Sequence, residues 1–282
     1  MNYRHIYHAG NFADVVKHAV LALLVEHLLR KDTPFRVLDT HAGLGVYDLT
    51  ANEAERTGEF RDGIGRLLAE PDPPAALAPY LRAVALLNGG TGGSPRLYPG
   101  SPWLVRSMLR DRDRLVAVEL HPEDAATLAA TFRHDRGVGV HQADAWQALK
   151  AFLPPPERRG LVLMDPPFEA RDEFERLADG LARAHRRFAT GILAAWYPIK
   201  DPEQAATLHR AVQGIGVARA LAVELLVRSP VDRFRLNGCG LVVVNPPWRL
   251  DETLGELMPF LTRVLAQDSL ASGRVHWLVQ SL

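Results

Sequence analysis

Two short segments of this 282-residue chain place an acid or an amide before a proline pair and an aromatic ring. Residues 165–168 read DPPF and residues 245–248 read NPPW, and each follows an apolar run. Because proline cannot donate to a sheet ladder, each pair predicts the abrupt end of a strand. A carboxylate at such a point can accept a hydrogen from a weakly nucleophilic amine, such as the amino group of adenine.

The first motif offers a separate role for each of its residues. Asp165 is the predicted catalytic acceptor for one amine hydrogen, and the carbonyl of Pro166 can accept the second. Phe168 offers a face on which a flipped base can stack, and Pro166 and Pro167 fix the turn before the base arrives. We therefore predict catalysis by Asp165 and substrate binding by Pro166, Pro167 and Phe168.

Three earlier predicted strands also end in residues that suit a ligand. The first ends in the segment DTHAGLG, in which Gly43 and Gly45 allow a tight turn and close backbone approach. The second ends at Glu119, which can accept hydrogen bonds from ribose hydroxyls. The third ends near Asp144, which can accept from an exocyclic amine. Together these residues predict a site for a cofactor that contains adenosine.

S-adenosylmethionine is the cofactor that this pattern favours. A dinucleotide site usually shows three glycines as G-x-G-x-x-G, and Asp48 stands where the third would fall. S-adenosylmethionine has no pyrophosphate to cradle, so it does not need the third glycine. A nicotinamide oxidoreductase is correspondingly disfavoured.

The elements that must position these residues alternate between strand and helix, which predicts an α/β fold with a doubly wound sheet. In such sheets ligands bind at the carboxyl ends of the strands. Glu119 lies much further along the chain than the ~20 residues that usually separate the first strand end from this acid. The extra stretch reads as helices at Glu53–Ala69 and Ala75–Asn88, so we predict a helical insertion at about residues 52–113. The late strands around residues 220–227 and 236–245 are expected to be antiparallel neighbours.

Composition excludes several classes of protein. The content is 47% hydrophobic and 23% charged with a formal net charge of zero, which is typical of a globular protein without a global positive field. No apolar run approaches the ~18 residues of a membrane helix, and the polar N-terminus is not a signal peptide. The single cysteine, Cys239, fits a reducing cytoplasm and is expected to be buried.

Charged and metal-binding residues give weaker signals. Arginines cluster at residues 106–114, 158–159 and 183–187, and the favoured interpretation of each cluster is a solvated helix face paired with nearby acids. The histidines His5, His8, His18 and His41 match no compact zinc spacing, so we expect no metal.

With these motifs, the chain resembles the RlmJ family of bacterial methyltransferases that act on the adenine N6 amine of 23S ribosomal RNA. The resemblance rests on YRH and HAGN near the N-terminus, then LDTHAGLG, ERTGEF, YPGSP, ELHP, LVLMDPPF, WYP and NPPW. It covers essentially the whole chain. It implies a Rossmann-like class I S-adenosylmethionine-dependent methyltransferase with a small helical insertion subdomain, acting as a monomer.

The resemblance also assigns residues. Position by position, it implies that Asp165 is the catalytic acceptor and that Tyr3 approaches the target base, within a segment at residues 1–18 that folds over the active site. Two residues depart from the common pattern: Phe168 replaces a tyrosine, and Ala145 replaces a glycine. The residues implied to bind the cofactor, together with Gly43, are Lys17, His18, His41, Ser101, Glu119, Asp144 and Ala145.

Two alternatives stay open. A DNA adenine-N6 methyltransferase would use identical chemistry, although the sequence shows no separate DNA-reading module such as a helix-turn-helix. A catalytically inactive module that binds cofactor and RNA is disfavoured because Asp165 is intact. The second motif, residues 245–248, is disfavoured as the active site because it follows the late strands, and its Trp248 is expected to pack in the core or at its rim.

Overall fold

The computed structural model describes residues 4–90 and 95–280, and these fall into two compact units, Met1–Ala145 and Trp146–Leu282. No helix in the described ranges is long and apolar enough to cross a membrane.

The first unit contains a parallel sheet of β1 (Arg36–Asp39), β4 (Arg114–Glu119) and β5 (Val138–Gln142). The central strand β4 pairs with both neighbours and is buried from Leu115 onward. Its side chains are almost all apolar because both faces of the strand are buried. A separate antiparallel pair joins β2 (Val46–Asp48) to β3 (Leu97–Pro99). The helices of this unit are α1 (Phe12–Leu29), α2 (Asn52–Thr57), α3 (Ile64–Leu68), α4 (Ala78–Leu87), α5 (Ser101–Met108) and α6 (Pro122–Phe132).

Helix α1 begins at a side-chain cap. Asn11 caps it, because the side-chain oxygen accepts from the amides of Ala13 and Asp14, each at 3.0 Å. Buried residues occur on all sides of this helix from Phe12 to Val25. An apolar helix that is covered all round belongs to the interior rather than to the surface.

The predicted helix over Glu53–Ala69 is wrong, because the structure divides it into α2, a short 3-10 helix at Glu59–Arg61 and α3. Gly58 ends α2 in the left-handed conformation, with φ +62°. At Gly63 an added Cβ would lie 2.1 Å from the carbonyl oxygen of Gly10. The second glycine therefore permits a close backbone approach, and Ile64 then donates to that same carbonyl at 2.8 Å.

The second unit has five strands in the order β6-β7-β9-β8-β10. Strand β7 runs parallel to β6, whereas β9 runs antiparallel to both β7 and β8, and β10 runs antiparallel to β8. The expected antiparallel pairing of the late strands is confirmed. The strands are β6 (Gly160–Met164), β7 (Ile192–Ile199), β8 (Arg219–Leu226), β9 (Gly238–Val244) and β10 (Ser272–Gln280).

Helices α8 (Glu173–Arg187), α9 (Pro202–Gln213) and α10 (Leu250–Leu265) complete the second unit, and α7 (Ala145–Phe152) begins at the last residue of the first. All seven residues of β9 are buried, including Cys239, which confirms the expectation for the cysteine. The direction of each strand decides which loops share an edge of this sheet, and that determines where the two proline motifs lie.

Candidate active site

The first unit brings three of the predicted strand ends to one edge. Strands β1, β4 and β5 are parallel neighbours, with Asp39 opposite Ala117 and Glu119 opposite Gln142. The glycine segment after Asp39, the carboxylate of Glu119 and the segment that contains Asp144 therefore leave the sheet on the same side. This arrangement follows from strand direction alone, because parallel strands present their carboxyl ends together.

Glu119 holds the glycine turn in place. One carboxylate oxygen accepts from the amide of Gly43 at 2.9 Å, and the other accepts from the amide of His121 at 2.8 Å. Gly43 has φ +60°, and an added Cβ would lie 2.2 Å from the hydroxyl of Tyr47. Only glycine fits this position, and the carboxylate oxygens keep lone pairs with which they can accept from ribose hydroxyls.

Ser101 reaches the same turn through the β2–β3 pair. Gly100 donates to the carbonyl oxygen of Gly45 at 2.8 Å, which places the start of α5 beside the glycine turn. Ser101 is buried as the first residue of α5. Gly100 is the N-cap of α5 and makes no side-chain cap hydrogen bond.

Lys17 belongs to a buried cluster of charges around Asp14. The ammonium nitrogen of Lys17 lies 2.8 Å from Asp14 Oδ1, and His5 Nε2 lies 2.9 Å from Oδ2. Burial by itself would raise the pKa of Asp14, but the positive charges of His5 and Lys17 outweigh it and hold the pKa well below its ordinary value. The cluster fixes the start of α1 and, with it, the position of the next residue, His18.

His18 is a neutral, buried ring at the end of a hydrogen-bond chain. Its Nδ1 lies 2.8 Å from the hydroxyl of Tyr98, which in turn lies 2.9 Å from the hydroxyl of Tyr80. Burial lowers the pKa of His18 to about 3, because the charged ring would be desolvated. Its Nε2 is buried and has no hydrogen-bond partner among the described residues, so this atom is available to a ligand.

The remaining predicted cofactor residues lie at the ends of β1 and β5. His41 is half-buried, and its Nδ1 lies 2.9 Å from the hydroxyl of Thr40. Asp144 is half-buried, and Ala145 is buried at the start of α7. Tyr3 lies outside the described residues. The cofactor-binding role of the glycine turn, the two strand-end acids and His18 stays a prediction.

In the second unit, the DPPF motif follows a fully buried strand. Asp165 comes directly after Met164, the last residue of β6, and is half-buried. Phe168 has φ +52°, a conformation that non-glycine residues adopt rarely and that is common at functional sites. Its ring packs against Phe174, with centroids 4.8 Å apart, and against Trp196 at 5.8 Å. The motif is thus a fixed turn supported by two other aromatic rings.

The NPPW motif lies at the opposite end of the strands in the second unit. It follows β9, which runs against β7 and therefore against β6. Asn245 has φ +53°, and its side-chain amide donates to the carbonyl oxygens of Ala189 and Gly191, both at 2.8 Å. Trp248 is 76% exposed, so the expectation that it packs in the core or at its rim is wrong.

In the arginine cluster at residues 106–114, three side chains pair with acids. Arg106 pairs with Asp135 at 2.5 Å and Arg110 pairs with Asp113 at 2.8 Å. Arg112 pairs with Asp32. The favoured interpretation of this arginine cluster, acid pairing rather than free cationic groups, agrees with these contacts.

Within the described ranges, one group of side chains could hold a metal ion, namely His209, Glu224 and His276, whose ligand atoms lie within 4.8 Å of one another. Other groups already occupy the carboxylate. The hydroxyl of Tyr197 donates to Glu224 Oε1 at 2.9 Å, and Arg274 pairs with Oε2. The absence of a metal stays a prediction.

Sequence reasoning missed the tyrosines that position His18. Tyr98 belongs to the YPGSP segment, but Tyr80 lies in α4, and neither spacing nor periodicity connects them to His18. The one available signal was the presence of tyrosines at positions that the helical and strand patterns mark as buried.

Parallel strands that end in a glycine turn and in acids are typical of the class I methyltransferases that use S-adenosylmethionine. The family model described as "Ribosomal RNA large subunit methyltransferase D, RlmJ" matches residues 32–279. The chain belongs to this family. The predicted fold class, enzyme class and cofactor are thereby confirmed.

Two curated relatives are both named Ribosomal RNA large subunit methyltransferase J. The relative from Haemophilus influenzae is 41% identical over 278 residues, and the one from Escherichia coli is 42% identical over 279 residues. Each match covers 99% of both chains. The crystal structure of a Legionella pneumophila protein is also similar, with a TM-score of 0.88, 31% identity and coverage of 95% of this chain and 98% of that one.

Proposed function

We propose that this protein transfers a methyl group from S-adenosylmethionine to the N6 amine of an adenine in 23S ribosomal RNA. The observation that carries the proposal is the fixed turn at residues 165–168, which presents a half-buried carboxylate and an aromatic ring at the carboxyl end of β6. The names of the two curated relatives support ribosomal RNA as the substrate class.

The cofactor is assigned to residues of the first unit. Glu119 and Asp144 accept from the adenosine moiety, and Gly43 lets the backbone approach it. His18 offers its unpartnered Nε2 to a polar group of the cofactor, and Lys17 contributes positive charge nearby. The other proposed cofactor residues are His41, Ser101 and Ala145. When bound, S-adenosylmethionine supplies an electrophilic methyl group.

The chain's own residues make the amine a better nucleophile. The lone pair of an adenine amine is delocalised into the ring, so the amine attacks poorly by itself. The carboxylate of Asp165 accepts a hydrogen bond from the amine and takes up the proton that nitrogen loses when it gains a carbon. The Pro166 carbonyl accepts the other hydrogen, Pro167 rigidifies the turn, and Phe168 stacks on the base.

The organisation of the chain is part of the proposal. Residues 1–282 form one methyltransferase domain that works as a monomer in the cytoplasm, and residues 52–113 form a helical insertion. The segment at residues 1–18 is proposed to cover the active site; its Tyr3, the residue proposed for the target base, lies outside the described residues. Contacts from His5 and Gly10 to the buried Asp14, each 2.9 Å, support the packing of residues 5–14 against the start of α1.

A methyl-transfer assay with an unmodified 23S transcript tests the proposal, with the same sequence as DNA in competition. We expect methylation of RNA at an adenine N6 and no effect of excess DNA. Preferential methylation of DNA would favour the DNA methyltransferase alternative. Binding of both cofactor and RNA without turnover would favour the inactive module. Mapping methyl groups on ribosomal RNA from cells that lack the protein identifies the adenine.

A further inference from the structure

The loop between β8 and β9 carries the most exposed large hydrophobic side chain among the described residues. Phe234 is 96% exposed, and arginines stand on both sides of it in the segment RFR at residues 233–235. An exposed aromatic ring between cationic side chains is the arrangement with which proteins bind unpaired nucleotides, by stacking on the base and contacting the phosphates.

This loop and Asp165 both lie at the carboxyl ends of strands that run in the same direction. Strand β8 runs antiparallel to β9, and β9 runs antiparallel to β7, so β8 ends where the parallel strands β6 and β7 end. Gly238, which follows the loop, is the register partner of both Ile199 and Leu226. The loop therefore begins about 14 Å across from β6, at three strand spacings.

Along the strands, the loop lies further out than Asp165. The residue before Asp165, Met164, is opposite Ala195, whereas the base of the loop is opposite Ile199. Asp165, one residue after Met164, is therefore level with Trp196, which precedes Ile199 by three residues. Three residues of a strand correspond to about 10 Å. A base held at the loop would thus belong to a nucleotide close to the target, but not to the target itself.

Hydrogen bonds anchor the loop to its surroundings without covering its tip. The buried side chain of Asn237 donates to the carbonyl oxygens of Lys200, at 3.0 Å, and Asp232, at 2.7 Å. Arg233 pairs with Asp201 at 3.0 Å, and the amide of Phe234 donates to the carboxylate of Asp232, also at 3.0 Å. The exposure of Phe234 is therefore a property of an ordered loop.

The charge at the loop is positive. Residues 228–236 contain three arginines and one aspartate, and Lys200 lies beside the base of the loop. Arg235 and Lys200 are exposed and have no carboxylate partner within the described ranges. These two cations are available to phosphates, whereas Arg233 is engaged with Asp201.

We infer that the loop at residues 227–237 is a substrate-binding element, in which Phe234 stacks on an unpaired base that flanks the target adenine, while Arg235 and Lys200 contact RNA phosphates. The inference rests on the proposed function, because it names how the same RNA substrate is held.

The chain provides a matched control at the opposite edge of the sheet. Trp248 is also an exposed aromatic next to an arginine, but it follows the antiparallel strand β9. Phe234→Ala and Trp248→Ala remove comparable exposed rings, so a general effect of surface hydrophobicity would appear in both variants. Phe234→Tyr keeps a stacking face in the loop and serves as the rescue variant.

The experiment measures KM and kcat for an unmodified 23S transcript, together with S-adenosylmethionine affinity by calorimetry. We expect Phe234→Ala to raise KM for RNA about tenfold, with kcat and cofactor affinity within twofold of wild type and an unchanged Tm. Phe234→Tyr should restore KM, and Trp248→Ala should leave it unchanged. Arg235→Ala should reduce the slope of log KM against log salt concentration by the amount that corresponds to about one phosphate contact.

The outcomes separate the inference from the proposed function. If wild-type protein methylates the transcript and Phe234→Ala has the wild-type KM, the inference is wrong while the proposed function stands. An equal rise in KM for Phe234→Ala and Trp248→Ala would also overturn it. If wild-type protein methylates no RNA, the proposed function fails first.

Discussion

The two proline motifs follow strands that run in opposite directions, so they lie at opposite ends of the strands in the second unit. The motif at residues 165–168 follows a strand that runs with β7, whereas the motif at residues 245–248 follows one that runs against it. Both place a residue at positive φ, Phe168 in the first and Asn245 in the second. Near-identical letters therefore build different turns, because the positive-φ residue is the fourth of the first motif and the first of the second. Only the first motif lies at the end of the sheet expected to bind ligand.

The side chain at the head of each motif also has a different environment. Asn245 uses its amide to donate to two backbone carbonyls, a role in which an aspartate could not donate. Asp165 is an acceptor when ionised, which suits an amine substrate. The second motif stabilises a turn, whereas the first is proposed to carry the chemistry, and four measurements can break or sharpen this contrast.

The largest effect is expected for Asp165→Ala. Loss of the acceptor should reduce kcat by about 100- to 10,000-fold, because a positioned acid–base group contributes that much. S-adenosylmethionine affinity, measured by calorimetry, should stay within twofold of wild type. Asp165→Asn serves as the shape-matched control and should be similarly slow. Substantial turnover in either variant would contradict the assignment of the first motif.

Asn245→Ala is expected to destabilise the fold and leave kcat unchanged. The substitution removes two hydrogen bonds of 2.8 Å and places alanine at φ +53°, which together should cost about 2–3 kcal/mol of unfolding free energy. Denaturant titration measures the loss. A variant that folds with wild-type stability and has lost turnover would transfer the catalytic role to the second motif.

Acid should destabilise the protein because His18 becomes protonated when the chain unfolds. This loss of unfolding free energy must be subtracted before the stabilities of the motif variants are compared at low pH. The pKa of His18 is lowered to about 3 in the folded state, so the unfolded state binds the proton more tightly. The contribution of neutral His18 to the free energy of unfolding is fully present above the ordinary pKa of 6.5, and it is lost as the pH drops towards 3. Between pH 7 and pH 5 the loss is about 2 kcal/mol.

His18→Gln removes the titrating ring and should flatten the pH dependence between pH 7 and pH 5. Unfolding free energies from denaturant titrations at several pH values provide the measurement. An unchanged slope in this variant would assign the acid sensitivity to other groups, such as His209 and His276, whose pKa values burial also lowers.

The smallest effect should come from removing the ring of the first motif. Phe168→Ala should raise KM for the RNA substrate by about tenfold, since stacking contributes ~1–3 kcal/mol per base. Because Phe168 also packs against Phe174 and Trp196, the Tm of the variant must be measured alongside. Phe168→Tyr is the control that keeps the stacking face. Equal KM values for all three proteins would rule out stacking by this residue.

Much of the fold and site follows from the sequence because strand ends can be recognised locally. Asp39, Glu119 and Asp144 each come at the close of an apolar run, and parallel pairing necessarily brings them to one edge. The cap at Asn11 and the burial of Cys239 depend on local signals of the same kind.

Other features depend on contacts between distant residues and could not be predicted. The sequence predicts that the two late strands are antiparallel to each other but not how either runs relative to β6, so the end of the sheet at which Trp248 lies was not predictable. The interruption at Gly63 arises from the approach of Gly10, more than fifty residues earlier. The protonation state of His18 depends on burial created by residues of α4 and β3, including Tyr80 and Tyr98.

The hydrogen bonds of Asn237 have a consequence for the dynamics of the loop at residues 227–237. The amides of Asn237 and Val227 donate to buried backbone carbonyls at the base of the loop, so their hydrogen exchange should require unfolding of the sheet. The amide of Phe234 is bonded only to the exposed side chain of Asp232, so it should exchange much faster than these two amides. A loop that is already ordered loses little conformational entropy when a base stacks on it, so differences between substrates should appear in dissociation rates rather than in association rates.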